Sequence, residues 1–441
     1  MNDRRPRFSV VIPTRERAET LRVTLATCLD QDFDDYEIVV CDNAGGGATR
    51  EVVDAARSGR IRYHRSETPL AMSANWELAV SLASGDYVTV VGDDDALMPY
   101  ALRELDRLVE EHDRPAAVHW HRAVYAWPTI AVESEANFLL LPAMRTLRIL
   151  DGSERLAAAA RWEVGADRLP TIYAAAVRSD LIAEHRRIAG RLFPNIYPDI
   201  YSAYAFAYLA DRYVSVGVPM GIAGLSGASN GVATLLQDGS GPIAMEFERL
   251  NRAAGLVPHP TVPDLPLIPV HADDCFQHAR DLLFPNDPVL VLDRRRLAER
   301  YLAAITDTDV PSRQAARAAI RASLADRPDL VQWFDAEAPD PAPAPVFRMK
   351  PTRFGIHGEM LAVDTSRFGV EDVAGAVRLS CDLLGLDGEP IAYDVVTPDP
   401  HRSAQQRAAS SSARLRHRLR GVPAAVPARV RRVLGRASSS R

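Results

Sequence analysis

Lysine is almost missing from this chain: Lys350 stands alone, and the other basic charges are arginine. That bias fits a GC-rich genome as well as it fits selection, so no function follows from it. Cysteine is also sparse. Cys28, Cys41, Cys275 and Cys381 are too scattered for a paired metal motif, which predicts reduced, buried side chains. No unbroken apolar run is long enough to span a bilayer, and MNDRRPRF passes into a strand without a signal-type apolar region. The sequence therefore predicts a cytoplasmic location. Acidic residues are missing from His401 onward, where eleven arginines accumulate. Set against the −6 of the whole chain, those arginines leave a formal −17 on the first 400 residues. An acidic body argues against nucleic acid as a partner.

What is present centres on Asp86–Asp95, DYVTVVGDDD, a β-branched apolar run that stops in three consecutive carboxylates. Tyr87 to Val91 suit a strand buried on both faces, and Gly92 ends it. Adjacent carboxylates repel one another unless water or a cation lies among them, and a hard divalent ion commonly bridges protein carboxylates to phosphates. Asp93, Asp94 and Asp95 are thus candidates for Mg²⁺ or Mn²⁺ with a diphosphate. The competing reading is a solvated acidic turn that caps the helix starting near Met98.

Around this stretch, strands alternate with helices. Phe8–Ile12, Tyr36–Cys41 and Ile61–His64 read as strands; Ala18–Leu29, Thr49–Arg57 and Ser73–Ala83 read as helices, with Ser73 available as an N-cap. The pattern predicts an α/β fold with a doubly wound, mainly parallel sheet. Ligands then collect at the carboxyl ends of the strands. There the loops Pro13–Arg17, Asp42–Gly45 and Gly92–Asp95 would converge. Turn chemistry alone also accounts for Asp42 and Asn43, which precede glycines.

The order FSVVIPTRERAETLRVTLATCLDQDFDDYEIVVCDN, followed by SANWELAVSLASGDYVTVVGDDDAL, resembles the family 2 glycosyltransferases of GT-A fold over about the first quarter of the chain. The resemblance implies inverting transfer of a sugar from a nucleotide-sugar donor to a hydroxyl acceptor. It implies Thr14 and Glu16 near the nucleoside, Asp42 on the base, and Asp93 and Asp95 as an Asp-x-Asp pair that meets the sugar or ribose and a divalent metal, with Asp94 beside them on the donor. Asn75 resembles the family's donor-facing polar residue, and otherwise reads as an exposed helix-start amide. Asn43-Ala44-Gly45-Gly46-Gly47 departs from the usual continuation of the second loop. Asp199, in YPDI before an aromatic helix, best matches the family's catalytic base; Asp180 and Glu184 are alternatives, and a helix N-cap accounts for Asp199 equally well.

His119 and His121 alternate on one strand face, as metal ligands, pocket lining or hydrogen-bonded sheet residues. The expected organisation is a transferase domain over 1–250 (donor half to about 115, acceptor half from 116), helices over 251–335, a Pro/Ala linker over 336–346, a small mixed segment over 347–397, and a basic tail over 398–441. Residues 127–150 read as an insertion and GIAGLSGASNG as a loop. In the tail, RLRHRLRGV and ARVRRVLGR suit anionic lipid headgroups or simply water. A sugar nucleotidyltransferase and a non-catalytic scaffold are the alternative functions. The first is disfavoured because no Gly-rich phosphate loop with Arg and Lys follows the first strand.

Overall fold

The computed structural model describes residues 5–229, 241–305, 309–340, 348–386 and 388–396. The basic tail and most of the Pro/Ala linker lie outside the described residues. In chain order the strands are β1 (Phe8–Thr14), β2 (Tyr36–Asp42), β3 (Ile61–Arg65), β4 (Tyr87–Val90), β5 (Ala96–Leu97), β6 (Ala117–Trp120), β7 (Ala123–Ala126) and β8 (Phe138–Pro142). They continue with β9 (Thr146–Asp151), β10 (Ala175–Arg178), β11 (Arg212–Val216), β12 (Gly221–Leu225), β13 (Gly355–His357), β14 (Met360–Asp364) and β15 (Asp394–Val395).

The main sheet has nine strands in the order β15-β9-β11-β6-β10-β4-β1-β2-β3. β1, β2 and β4 are buried along their whole length, as expected of parallel strands covered by helices on both faces. β1 pairs in parallel with β2 from Phe8↔Tyr36 to Thr14↔Asp42, and with β4 on its other edge. The switch in strand order therefore falls at β1 and β4, where a doubly wound sheet opens a crevice. The helix Ala18–Leu29 covers one face by burying Leu21, Leu25 and Cys28 at helical spacing. The helix Pro198–Leu209 is enclosed almost all round, with tyrosines 201 and 204 and Phe206 buried.

A second sheet, β13-β14-β8-β7-β12-β5, grows out of the first. The chain crosses from main sheet to second sheet three times: at 91–95 between β4 and β5, at 121–122 between β6 and β7, and at 217–220 between β11 and β12. Residues 127–150 are thus not a loose insertion, since β8 and β9 belong to the two sheets. Nor is GIAGLSGASNG wholly a loop: Gly221–Leu225 is β12, paired with β7 and β5. The segment after residue 347 is likewise built into these sheets, with β14 on β8 and β15 on β9. Ser73 lies inside the helix Met72–Ser81 rather than capping it, and its hydroxyl donates to the Asn195 carbonyl. The helices Ile268–Leu283, Arg294–Ala304 and Val310–Ser323 form the expected helical region, joined by Pro242–Ala253 and Pro328–Glu337, which the sequence did not disclose. Among the described residues no helix is long and apolar enough to cross a membrane.

Candidate active site

A cavity of about 670 Å³ opens at the carboxyl ends of β1 and β4. Its lining includes Thr14, Glu16, Arg17, Asn75, Asp93 and Asp94, together with Arg122, Tyr173, Tyr197, Asp199, Ile243, Phe247, Ile268 and His271.

The three consecutive aspartates, all buried, point to three different partners. Asp93 Oδ2 accepts from Thr14 Oγ1 at 2.7 Å and Oδ1 from Arg17 at 2.9 Å, so the turn after β4 is tied across the switch point to the loop after β1. Asp94 Oδ2 accepts from Ser226 Oγ at 2.6 Å and from the Ser226 amide at 3.2 Å. Asp95 spans two backbone amides, Gly92 N–H at 2.8 Å and Gly224 N–H at 2.7 Å, and the Tyr173 hydroxyl lies against it. Two glycines make this possible. A Cβ on Gly92 would sit 2.5 Å from the Tyr173 hydroxyl, and one on Gly224 only 1.8 Å from the Asp94 carbonyl oxygen.

This arrangement changes the expected division of labour. Asp93 and Asp94 line the cavity, while Asp95 is turned into its floor and satisfied there. Among the described residues no cluster of three or more His, Cys, Asp or Glu side chains is arranged to hold a metal ion. The donor set still suits a cation shared with a diphosphate, because such an ion takes only one or two protein carboxylates. Asp94 Oδ1 accepts no hydrogen bond among the described residues, and burial, then the neighbouring Asp95, pushes the Asp94 carboxyl up to about 7. A cation there would favour the charged form.

Asp42 is not brought to the cavity surface. Its oxygens accept from Gly45 N–H at 3.0 Å, within the turn, and from Tyr63 Oη on β3 at 2.9 Å. Asn43, which does line the cavity, clamps both backbone groups of Leu70. Glu16 accepts from the Gly46 amide at 2.7 Å and lies in the left-handed region (φ 55°), as does Ala44 (φ 52°). Two non-glycine residues in that conformation flank one end of the cavity, where strain commonly collects at functional sites. Asn75 is buried, with its amide oxygen 3.4 Å from Cys41 Sγ.

Asp199 stands in the first turn of the helix Pro198–Leu209, where the helix dipole favours negative charge. Its carboxyl is raised by burial, against the lowering field of Arg122. The loop leading to it is fixed by Asn195, which donates to Asp274 at 2.8 Å and accepts from the Tyr197 amide at 2.9 Å. Asp180 and Glu184 are instead paired with Arg178 and Arg187 on the exterior. His119 bonds Ser215 Oγ and the Asp167 carbonyl, and burial lowers its pKa to about 3; His121 bonds Arg168. Neither histidine lines the cavity.

Sequence reasoning missed Arg122, Tyr173, Ser226 and His271. For Arg122 a signal existed, since it directly follows a strand that ends on the same edge of the sheet. For Tyr173 and Ser226 there was none.

Comparison with known proteins adds the following. Residues 9–144 match the family described as Glycosyl transferase family 2. A GalNAc(5)-diNAcBac-PP-undecaprenol beta-1,3-glucosyltransferase of Campylobacter jejuni is 32% identical over 109 residues, which is 24% of this chain and 35% of that protein. The abequosyltransferase RfbV of Salmonella typhimurium is 36% identical over 108 residues, 23% of this chain and 32% of that one. The aligned part is thus about a third of each relative's length. Among solved structures, TarS of S. aureus (residues 1–349) overlays at a TM-score of 0.42 with 15% identity, covering 75% of this chain and 91% of that one.

Proposed function

We propose, from the match of residues 9–144 to the family described as Glycosyl transferase family 2, that the chain transfers a sugar from a nucleotide-sugar donor to a hydroxyl acceptor, with inversion, in the assembly of a glycan or glycoconjugate. The observation that supports this reading most is that Asp94 and Asp199 line one cavity.

In this reading the nucleoside lies along Thr14, Glu16 and Asn75, and the diphosphate reaches the turn of Asp93 and Asp94. Asp94, with Asp93 beside it, would hold a Mg²⁺ or Mn²⁺ ion, which supplies positive charge where the leaving diphosphate becomes more negative. Arg17 keeps Asp93 oriented, and Ser226 does the same for Asp94. Asp199, which lines the same cavity, accepts the proton of the acceptor hydroxyl as its oxygen attacks the anomeric carbon. A carboxylate whose pKa has been raised toward the working pH suits that task. Asp42 steadies the loop after β2 and has no direct part on the base.

The test is a thermal-shift and turnover screen of nucleotide sugars with and without Mn²⁺. One donor should raise the melting temperature and release nucleoside diphosphate. Asp94→Asn should lose the Mn²⁺-dependent part of the shift. Asp199→Asn should retain donor binding and lose transfer by at least about 100-fold. A panel in which no donor binds, or an Asp199→Asn protein with undiminished transfer, contradicts the proposal.

A further inference from the structure

We infer that the cavity carries an apolar subsite beside Asp94, built by the second sheet and completed by Met349, that selects a donor whose sugar presents a methyl group, and that Glu135 is its positioning residue.

Val124 on β7 pairs with Ala223 on β12, and Leu225 follows two residues on, so the three side chains share one face of the second sheet. All three line the cavity. The alternate residues Tyr125 and Ile222 point the other way, into the main core. Met349, from beyond the Pro/Ala stretch, also lines the cavity, and it packs with Val124 and Leu225 on the cluster of Ala126, Ile130, Ala136 and Phe138. Val124, Ala223 and Leu225 cannot hydrogen-bond through their side chains, and the Met349 thioether is only a weak acceptor. Glu135 holds Met349 in place. Buried in the turn Glu133–Glu135, its carboxylate accepts through one oxygen from the Met349 amide at 3.0 Å and from the Lys350 amide at 2.6 Å. The ammonium of Lys350 donates to the Ala136 carbonyl at 2.6 Å, so the chain's single lysine closes the same clamp.

The place of this patch identifies its occupant. Leu225 lies between Gly224, which comes up against the Asp94 carbonyl, and Ser226, whose hydroxyl donates to the Asp94 carboxylate at 2.6 Å. The patch therefore adjoins Asp94. With the diphosphate held at Asp94, as proposed above, the next group along the donor is the sugar bonded to that diphosphate. A sugar hydroxyl turned to the patch would give up water and find no partner, whereas a methyl group there is stabilised by burial. Two kinds of sugar share that chemistry: a 6-deoxy sugar, whose methyl replaces a hydroxymethyl group, and an N-acetyl sugar, whose methyl ends the amide.

The inference rests on the donor reading, and the experiment separates the two. In the full chain with Mn²⁺, dissociation constants are measured for UDP-, dTDP- and GDP-hexoses, each against its 6-deoxy form, and for UDP-hexoses against UDP-N-acetylhexosamines. One methyl-bearing donor should bind about 10- to 100-fold more tightly than its hydroxylated match, and the arm in which it does so tells the two kinds of sugar apart. Met349→Ala should lower that preference by about fivefold or more, and Met349→Leu should keep most of it. Glu135→Ala should act as Met349→Ala does, whereas Glu135→Gln, whose carbonyl oxygen can still accept from both amides, should restore the preference. Equal binding of the matched donors, or an unchanged preference in Met349→Ala, overturns the inference. A Glu135→Ala protein that only melts earlier, with its preference intact, overturns the role of Glu135; should that variant not fold, a Glu135→Gln protein that loses the preference overturns it equally. A panel in which no donor binds contradicts the donor reading itself, and the subsite falls with it.

Discussion

At the level of single residues, the fold hides several histidines from water. His119 is lowered to about 3, and His185 and His271 to about 4, in each case first by burial. An unfolded chain protonates histidine near 6.5. Between about 6.5 and 4 the unfolded state therefore binds more protons than the folded one. The stability these rings contribute is complete above 6.5 and is lost as pH falls through that window. The slope approaches about 1.4 kcal/mol per pH unit for each ring. Calorimetry should accordingly show a melting temperature several degrees lower at pH 5 than at pH 7, with a smaller drop in His119→Gln. An unchanged melting temperature would mean that the folded protein accommodates these charges. The sequence showed His119 and His121 on one face but could not choose between ligand and sheet roles, because their partners Ser215, Asp167 and Arg168 come from distant segments. The same holds for the aspartates. Three in a row announced an anionic turn, yet which of them faces the cavity depends on Gly224 and Ser226, far along the chain.

Among the elements, the turn between β4 and β5 and the strand β12 depend most closely on each other. Gly224 lets β12 approach until its amide reaches Asp95 and its Cα touches the Asp94 carbonyl. Gly224→Ala would force backbone from backbone, since a methyl cannot stand 1.8 Å from an oxygen. The expected cost is about 2–4 kcal/mol, accompanied by loss of the Mn²⁺-dependent donor shift. Denaturant unfolding measures the first, and a variant as stable as the parent would show that β12 can move away freely. The N-terminal strands were legible because they are short apolar runs with Pro, Asp or Gly at or near their ends. β12 was not, because GIAGL has the composition of a loop and becomes a strand only through pairing with β7 and β5.

For the molecule as a whole, the two sheets share one core, and sequence composition draws its boundaries in the wrong places. The Pro/Ala stretch reads as a linker between independent parts, yet β14 completes the second sheet on β8, and the helix Val373–Leu384 buries Val373, Ala376 and Leu383 in the main core. A chain ending at residue 346 should lose these contacts and expose Leu139 and Leu141. It is expected to be insoluble or to melt without a cooperative transition, as checked by soluble yield and thermal unfolding. A truncated chain that stays soluble and melts sharply would assign the later residues to a separate unit. Composition reported the prolines correctly but carried no trace of the distant pairing that follows them.

The residues that line the cavity come from differently organised parts of the chain. Thr14, Glu16, Asn75 and the aspartates lie within one continuous stretch, whereas Tyr173, Asp199, Phe247, His271 and Met349 are gathered from five separate places. Evolution or an engineer could therefore redraw the scattered part of the lining one segment at a time, leaving the contiguous part in place.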